Sequence, residues 1–157
     1  MLSEIGSEVK KTLNYYKRKF GSEYEYDPHV PFKKIQIETI SSCNRKCKFC
    51  PQNVYSIKEK MSDTLFDKIA DELHEMDFSG EIGVYLRGEP LLDKKLSTRI
   101  KILREKCRNS TIYLSSNGDL LNMDNLRQIF DAGLSWFAIA AYDGPEQIKQ
   151  FDGLLNE

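Results

Sequence analysis

The sequence predicts an α/β fold, a parallel sheet assembled from four strand–helix units. Four short runs rich in β-branched, aromatic or small residues, at 33–40, 81–87, 110–116 and 136–142, are the candidate strands. Helical patterns follow them at 62–77, 93–107, 122–132 and 145–155, with apolar residues recurring three and four apart. Each strand runs out into a polar or glycine-containing loop: ISSCNRKCKFCP, RGEP, SSNGD and YDGP. Strand–helix alternation implies parallel strands joined by right-handed crossovers, either open and doubly wound or curved into part of a barrel. In both architectures the four loops emerge on one side, at the carboxyl ends of the strands, where such folds keep their chemistry.

The elements can be justified in order. Leu2, Ile5, Val9, Leu13, Tyr16 and Phe20 place one narrow apolar stripe on a charged helix that Gly21 ends. Residues 21–32 carry Pro28 and Pro31, which lack the N–H a central strand needs, so 1–32 read as a helix and an extended arm ahead of a core at 33–157. In the first strand Ile35 and Ile37 alternate with Gln36 and Glu38. The polar pair faces either solvent or the concave side of a curved sheet, and there a buried Glu38 needs a partner such as Arg87. Ser62 is the expected N-cap of a helix whose apolar face is Leu65, Phe66, Ile69, Leu73 and Met76. The second strand puts Ile82, Val84 and Leu86 on one face, and the next helix aligns Leu96, Ile100, Leu103 and Cys107. Leu126, Ile129 and Phe130 precede Gly133 in the third helix, and Pro145 stands at the first position of the last.

A length of 157 residues suits one domain. With 23 Lys+Arg against 24 Asp+Glu the net charge is −1, which argues against a generally basic nucleic-acid surface. No apolar run approaches the roughly 20 residues of a membrane span. The charged first turns lack the apolar core of a secretory signal. The expected compartment is the cytoplasm, where thiols stay reduced.

Three of the four cysteines, Cys43, Cys47 and Cys50, form C-x3-C-x2-C directly after the first strand, with Pro51 behind them. Soft thiolates on a short loop suit an iron–sulfur cluster or a zinc ion, and Lys46 and Lys48 favour the thiolate form. Structural zinc needs a fourth ligand. Cys107 falls on a core stripe, His74 lies on a helix and His29 in the arm, none at zinc-motif spacing. Three ligands without an evident fourth suggest a centre with one open position.

ETISSCNRKCKFCP resembles the cluster loop of the radical S-adenosylmethionine (SAM) enzymes, most closely the SPASM-type members. The resemblance implies a partial (βα) barrel, with Cys43, Cys47 and Cys50 holding three irons of a [4Fe–4S] cluster whose fourth iron is chelated by SAM. It places Phe49 beside the adenine. Gly88-Glu89-Pro90 is similar to the family's GGEP-like motif, which receives the SAM amino group, with Arg87 where a first glycine is common; a plain Gly-Pro turn is the alternative. Ser116-Asn117-Gly118 resembles the TNG turn. Tyr142-Asp143-Gly144 resembles the S-x-D-G end, where Ala141 stands in place of the serine; Asp143 either hydrogen-bonds the ribose or shapes the turn.

The resemblance spans residues 33 to about 150 and accounts for four of the family's six units. It therefore implies the N-terminal portion of a longer protein, of marginal stability alone. The implied function is reductive cleavage of SAM to a 5′-deoxyadenosyl radical that abstracts hydrogen from an unknown peptide or small molecule, with an electron donor such as a flavodoxin or ferredoxin. Two other readings stand beside it: a non-catalytic cluster-binding partner subunit, and a small zinc-stabilised interaction domain.

Overall fold

The computed structural model describes residues 32–53 and 58–155. The expected N-terminal helix and the arm up to residue 31 lie outside the described residues. Four strands, β1 (Lys34–Gln36), β2 (Glu81–Gly83), β3 (Thr111–Ser116) and β4 (Trp136–Ile139), form one sheet in the order β1-β2-β3-β4. Every pairing is parallel. Helices α1 (Asp63–Glu75), α2 (Leu96–Lys106) and α3 (Met123–Asp131) connect successive strands, and α4 (Pro145–Leu155) follows β4. Among the described residues no helix is long and apolar enough to cross a membrane.

The two faces of the sheet bury different chemistry. Ile35, Ile82 and Ile112 share one register row, and Ile82, Ile112 and Leu114 are fully buried together with Phe66, Ala70, Ile100 and Leu103 from the helices. Each large side chain of this core is worth about 1.5–3 kcal/mol relative to exposure. The next row is Gln36, Gly83, Tyr113 and Trp136. Here Tyr113, also fully buried, stacks on Trp136 at 4.4 Å and meets Tyr85 edge-on at 5.5 Å. Gly83 makes room for it, since a Cβ there would stand 2.9 Å from the Tyr113 ring.

Helix ends follow the sequence closely. Ser62 Oγ accepts the Leu65 N–H at 3.2 Å and caps α1. Asn122 and Asn125 form a reciprocal capping box on α3, with bonds of 2.8 and 3.0 Å. The α2 helix begins at Leu96 rather than near 93, because Pro90–Leu92 form a separate 3-10 turn. Arg99 then reaches from α2 to the Met61 carbonyl at 2.6 Å and pairs with Asp63 and Asp93.

Two strands are shorter than their patterns. After Ile37, whose N–H reaches the Gly83 carbonyl, the chain leaves β1, and Thr39 and Ser41 pair with Met61 and Glu59 instead. That antiparallel bridge closes the base of the cysteine-bearing loop. β2 ends at Gly83 and the buried alternation stops one residue later at Val84, so Leu86, expected on the same face, is 48% exposed. Leu65 and Phe130 are likewise exposed, because the apolar stripes of α1 and α3 are narrower than their periodicity suggests.

Candidate functional site

The loops leaving β1, β2, β3 and β4 meet at the carboxyl edge of the sheet, and their anchoring begins with two carboxylates. Glu38, just past β1, accepts the backbone N–H groups of Arg87 at 2.8 Å and Gly88 at 3.0 Å, and its other oxygen lies 3.6 Å from the Arg87 guanidinium. Arg87 is thus the partner that Glu38 requires. Gly88 is obligatory for a steric reason, since a Cβ would sit 1.9 Å from the Ile40 carbonyl oxygen. Glu89, only 2% exposed, donates its N–H to the Ser42 carbonyl, and its carboxylate accepts from Ser116 Oγ at 2.7 Å and the N–H groups of Asn117 and Leu91 at 3.0 Å. The Glu89 side chain therefore ties the β2 exit to the β3 exit, and its backbone N–H ties both to the cysteine loop.

Cys43, Cys47 and Cys50 are all half-buried and line one cavity of about 320 Å³, together with Phe49, Gly88, Glu89, Asn117 and Tyr142. The Cys50 N–H donates to the Cys47 carbonyl at 3.0 Å, which curls the loop. Cys43 Sγ accepts the Arg45 N–H at 3.4 Å and the Asn117 side-chain amide at 3.8 Å. Burial pushes the Cys43 thiol up, and the Arg45 N–H works against it. Among the described residues no three His, Cys, Asp or Glu side chains already stand close enough to hold a metal ion. The three thiols share a wall without converging on one point.

The donor chemistry nevertheless fits an iron–sulfur cluster. Three soft sulfurs face a common space, with amide N–H groups directed at one of them, as cluster sulfurs require. The candidate fourth ligands for zinc point elsewhere. Cys107 is buried in the core, and His74 Nδ1 lies 2.8 Å from the Lys106 carbonyl oxygen. His29 lies outside the described residues.

Phe49 is 70% exposed and meets Tyr142 at 5.2 Å, so two aromatic rings from different loops stand at the cavity edge. Gly118 adopts φ +78°, as its turn demands, and its neighbour Asn117 bonds to Asn44 at 2.9 Å. Asp143 is exposed and is not part of the cavity wall; its carboxylate pairs with Arg45 at 2.6 Å. The Arg45 guanidinium also grips Asp119, and this holds the Asp119 carboxyl below the usual carboxylate range. Arg45, Asn44 and Asp119 are site residues to which the sequence motifs assign no role, and Tyr142 enters there only as the first residue of its motif; all four lie in the loops that leave the strands. A larger cavity of about 670 Å³ lies between Glu38 and the 59–62 segment. It contains no cysteine, so its size does not make it the chemical site.

Comparison with known proteins agrees with this geometry. Residues 37–153 match the Radical SAM superfamily. A curated relative from Niallia circulans, S-adenosyl-L-methionine-dependent 2-deoxy-scyllo-inosamine dehydrogenase, is 30% identical over 128 residues, which is 80% of this chain and 50% of that protein. The crystal structure of BtrN in complex with AdoMet and 2-DOIA aligns with a TM-score of 0.72 at 28% identity, over 80% of this chain and 51% of that one. An open conformation of BtrN aligns with a TM-score of 0.67 at 30% identity, over 75% of this chain and 54% of that one. The chain spans about half the length of the relatives it matches.

Proposed function

Because the chain belongs to the Radical SAM superfamily, we propose that Cys43, Cys47 and Cys50 hold a [4Fe–4S] cluster and that the cavity they border receives SAM. When bound, the cluster supplies the single electron that cleaves the sulfonium C–S bond, releasing methionine and a 5′-deoxyadenosyl radical for hydrogen abstraction. The observation carrying this reading is that the three thiols share one cavity wall with Gly88 and the buried Glu89, at the carboxyl edge of a parallel sheet.

The chain's own residues have separable tasks. Glu38 holds the backbone N–H of Gly88, and Gly88 lines the cavity beside the cysteines. Among the described residues the Glu89 carboxylate has only neutral donors, so its negative charge favours a cationic ligand such as an ammonium or sulfonium group. Phe49 and Tyr142 supply apolar faces for a heterocycle. The reaction class we infer is oxidation of a small polar substrate through hydrogen abstraction, a reading that the dehydrogenase named above supports. An external one-electron carrier, such as a flavodoxin or ferredoxin, would reduce the centre.

The test is anaerobic reconstitution with iron and sulfide, reduction, and EPR with and without SAM. A [4Fe–4S]⁺ signal that changes on adding SAM is the expected result. A signal indifferent to SAM would favour a non-catalytic cluster-binding chain. Isolation with zinc and no uptake of iron would overturn the proposal.

A further inference from the structure

One side chain at the site has contacts that cluster ligation does not account for. Arg45 lies between the first two cysteines, and its side chain is 16% exposed although it is fully charged. Nε and Nη2 both engage the Asp119 carboxylate beyond β3, and Nη2 also reaches Asp143 Oδ2 beyond β4 at 2.6 Å. The neighbouring Asn44 donates to Asp119 Oδ2 at 2.9 Å and accepts from Asn117 at 2.9 Å. Arg45 also lies 5.9 Å from the Tyr142 ring centroid. A planar guanidinium held by two carboxylates from separate loops is a rigid fastening, because the fork fixes direction as well as distance.

We propose that Arg45 is a positioning residue that pins the Cys43–Cys50 loop across the exits of β3 and β4, with Asp119 as its principal anchor and Asp143 as a secondary one. The proposal rests on the reading of this loop as the cofactor site, but it concerns the shape of the loop before anything binds. Asp119 ranks first because it takes two guanidinium nitrogens and the Asn44 amide and is 30% exposed, whereas Asp143 takes one contact and is 63% exposed. Through the Arg45 N–H on Cys43 Sγ the fastening extends to the first thiol. It also gives Asp143 a task on this chain apart from any ligand.

The test is a thiol-alkylation time course on the chain without iron, read cysteine by cysteine by mass spectrometry, for wild type, Arg45→Ala, Arg45→Lys, Asp119→Asn and Asp143→Asn. Cys107, buried in the core, is the internal control for general loosening. Arg45→Ala should raise the rates at Cys43 and Cys47 roughly fivefold to thirtyfold, as for loss of one or two ordinary interactions, with Cys107 unchanged. Asp119→Asn should reproduce most of that change and Asp143→Asn less of it. Arg45→Lys should rescue only in part, since an ammonium cannot fork. Adding Asp119→Asn to Arg45→Ala should change little further.

Equal rates at Cys43 in wild type and Arg45→Ala would overturn the proposal. So would a parallel rise at Cys107, which would mark Arg45 as a general stability residue. If Arg45→Ala does not fold, the order of Asp119→Asn, Asp143→Asn and Arg45→Lys still decides. Failure of wild type to take up iron and sulfide would instead sink the cofactor reading, in a separate measurement that leaves the alkylation comparison intact.

Discussion

Glu89 and Ser116 are joined by a 2.7 Å hydrogen bond that is wholly buried and bridges the exits of two adjacent strands. The same carboxylate holds the N–H of Asn117, the first residue past β3. Replacing Glu89 with Ala takes the acceptor from those donors, at about 1–3 kcal/mol for each buried group left unpaired. Urea unfolding of Glu89→Ala should therefore show a clearly lowered midpoint. Glu89→Gln keeps the volume and removes the charge. Its reconstituted form should hold wild-type iron while binding SAM about tenfold more weakly, a loss of ~1.4 kcal/mol. Unchanged SAM affinity would confine Glu89 to its structural bonds.

Gly88 and Gly144 should respond to alanine for different reasons. At Gly88 the new methyl would meet the Ile40 carbonyl at 1.9 Å, a backbone clash that no side-chain rotation relieves. The loop would have to move, taking the Glu38 bonds with it, and a loss above about 3 kcal/mol is expected. Gly144 has nothing within 4 Å of a Cβ but adopts φ +79°. Its alanine variant should lose only the left-handed strain, about 1 kcal/mol. Paired denaturation curves check the ranking, and a Gly88→Ala protein as stable as Gly144→Ala would contradict the packing described.

Asp63 supplies a pH-dependent term. Its carboxyl is held below the usual value of 3.8 by the Lys95 ammonium and the Arg99 guanidinium, the Lys95 bond being the larger cause. A carboxyl depressed on folding stabilises the native state above its unfolded pKa and loses that contribution as the pH falls through its folded value. Asp63→Asn should thus be less stable than wild type at neutral pH, with the gap closing below about pH 4. The side chain is exposed, so the gap should be modest and should shrink with added salt. Denaturant midpoints for both proteins across the acid range provide the measurement.

Much of the architecture is legible in the sequence because local chemistry and global packing agree there. Ser62 is followed by a helix that it caps, Pro145 opens the last helix, and Ile82 and Ile112 mark strands buried against helices. The cysteine spacing is legible for the same reason, as a local signal. Leu86 fails because alternation predicts a face only while the strand lasts, and β2 ends at Gly83. Arg45 is illegible on different grounds. Its partners lie 74 and 98 residues away, and nothing near position 45 announces them. Glu89 was visible as part of a motif, but the burial of its carboxylate among neutral donors depends on where β3 ends.

The four cysteines should separate into two classes on substitution. Cys107 is 3% exposed behind α2, where its N–H closes the helix on the Leu103 carbonyl. Cys107→Ala should cost about 1 kcal/mol of stability from the lost packing and leave iron content at the wild-type level. Cys107→Ser should cost more, because it buries a hydroxyl in an apolar setting. Single alanine variants of Cys43, Cys47 and Cys50 should show the reverse pattern. Their iron-free stability should stay near wild type, since each is only half-buried, while retained iron and sulfide fall sharply. Loading with iron and sulfide should also raise the unfolding midpoint of wild type and of Cys107→Ala, and not of the other three, because a group that binds only the folded chain stabilises it by mass action. Iron analysis combined with thermal melts, before and after chelation, tests both halves. Iron retention by Cys43→Ala equal to wild type would remove that thiol from the ligand set.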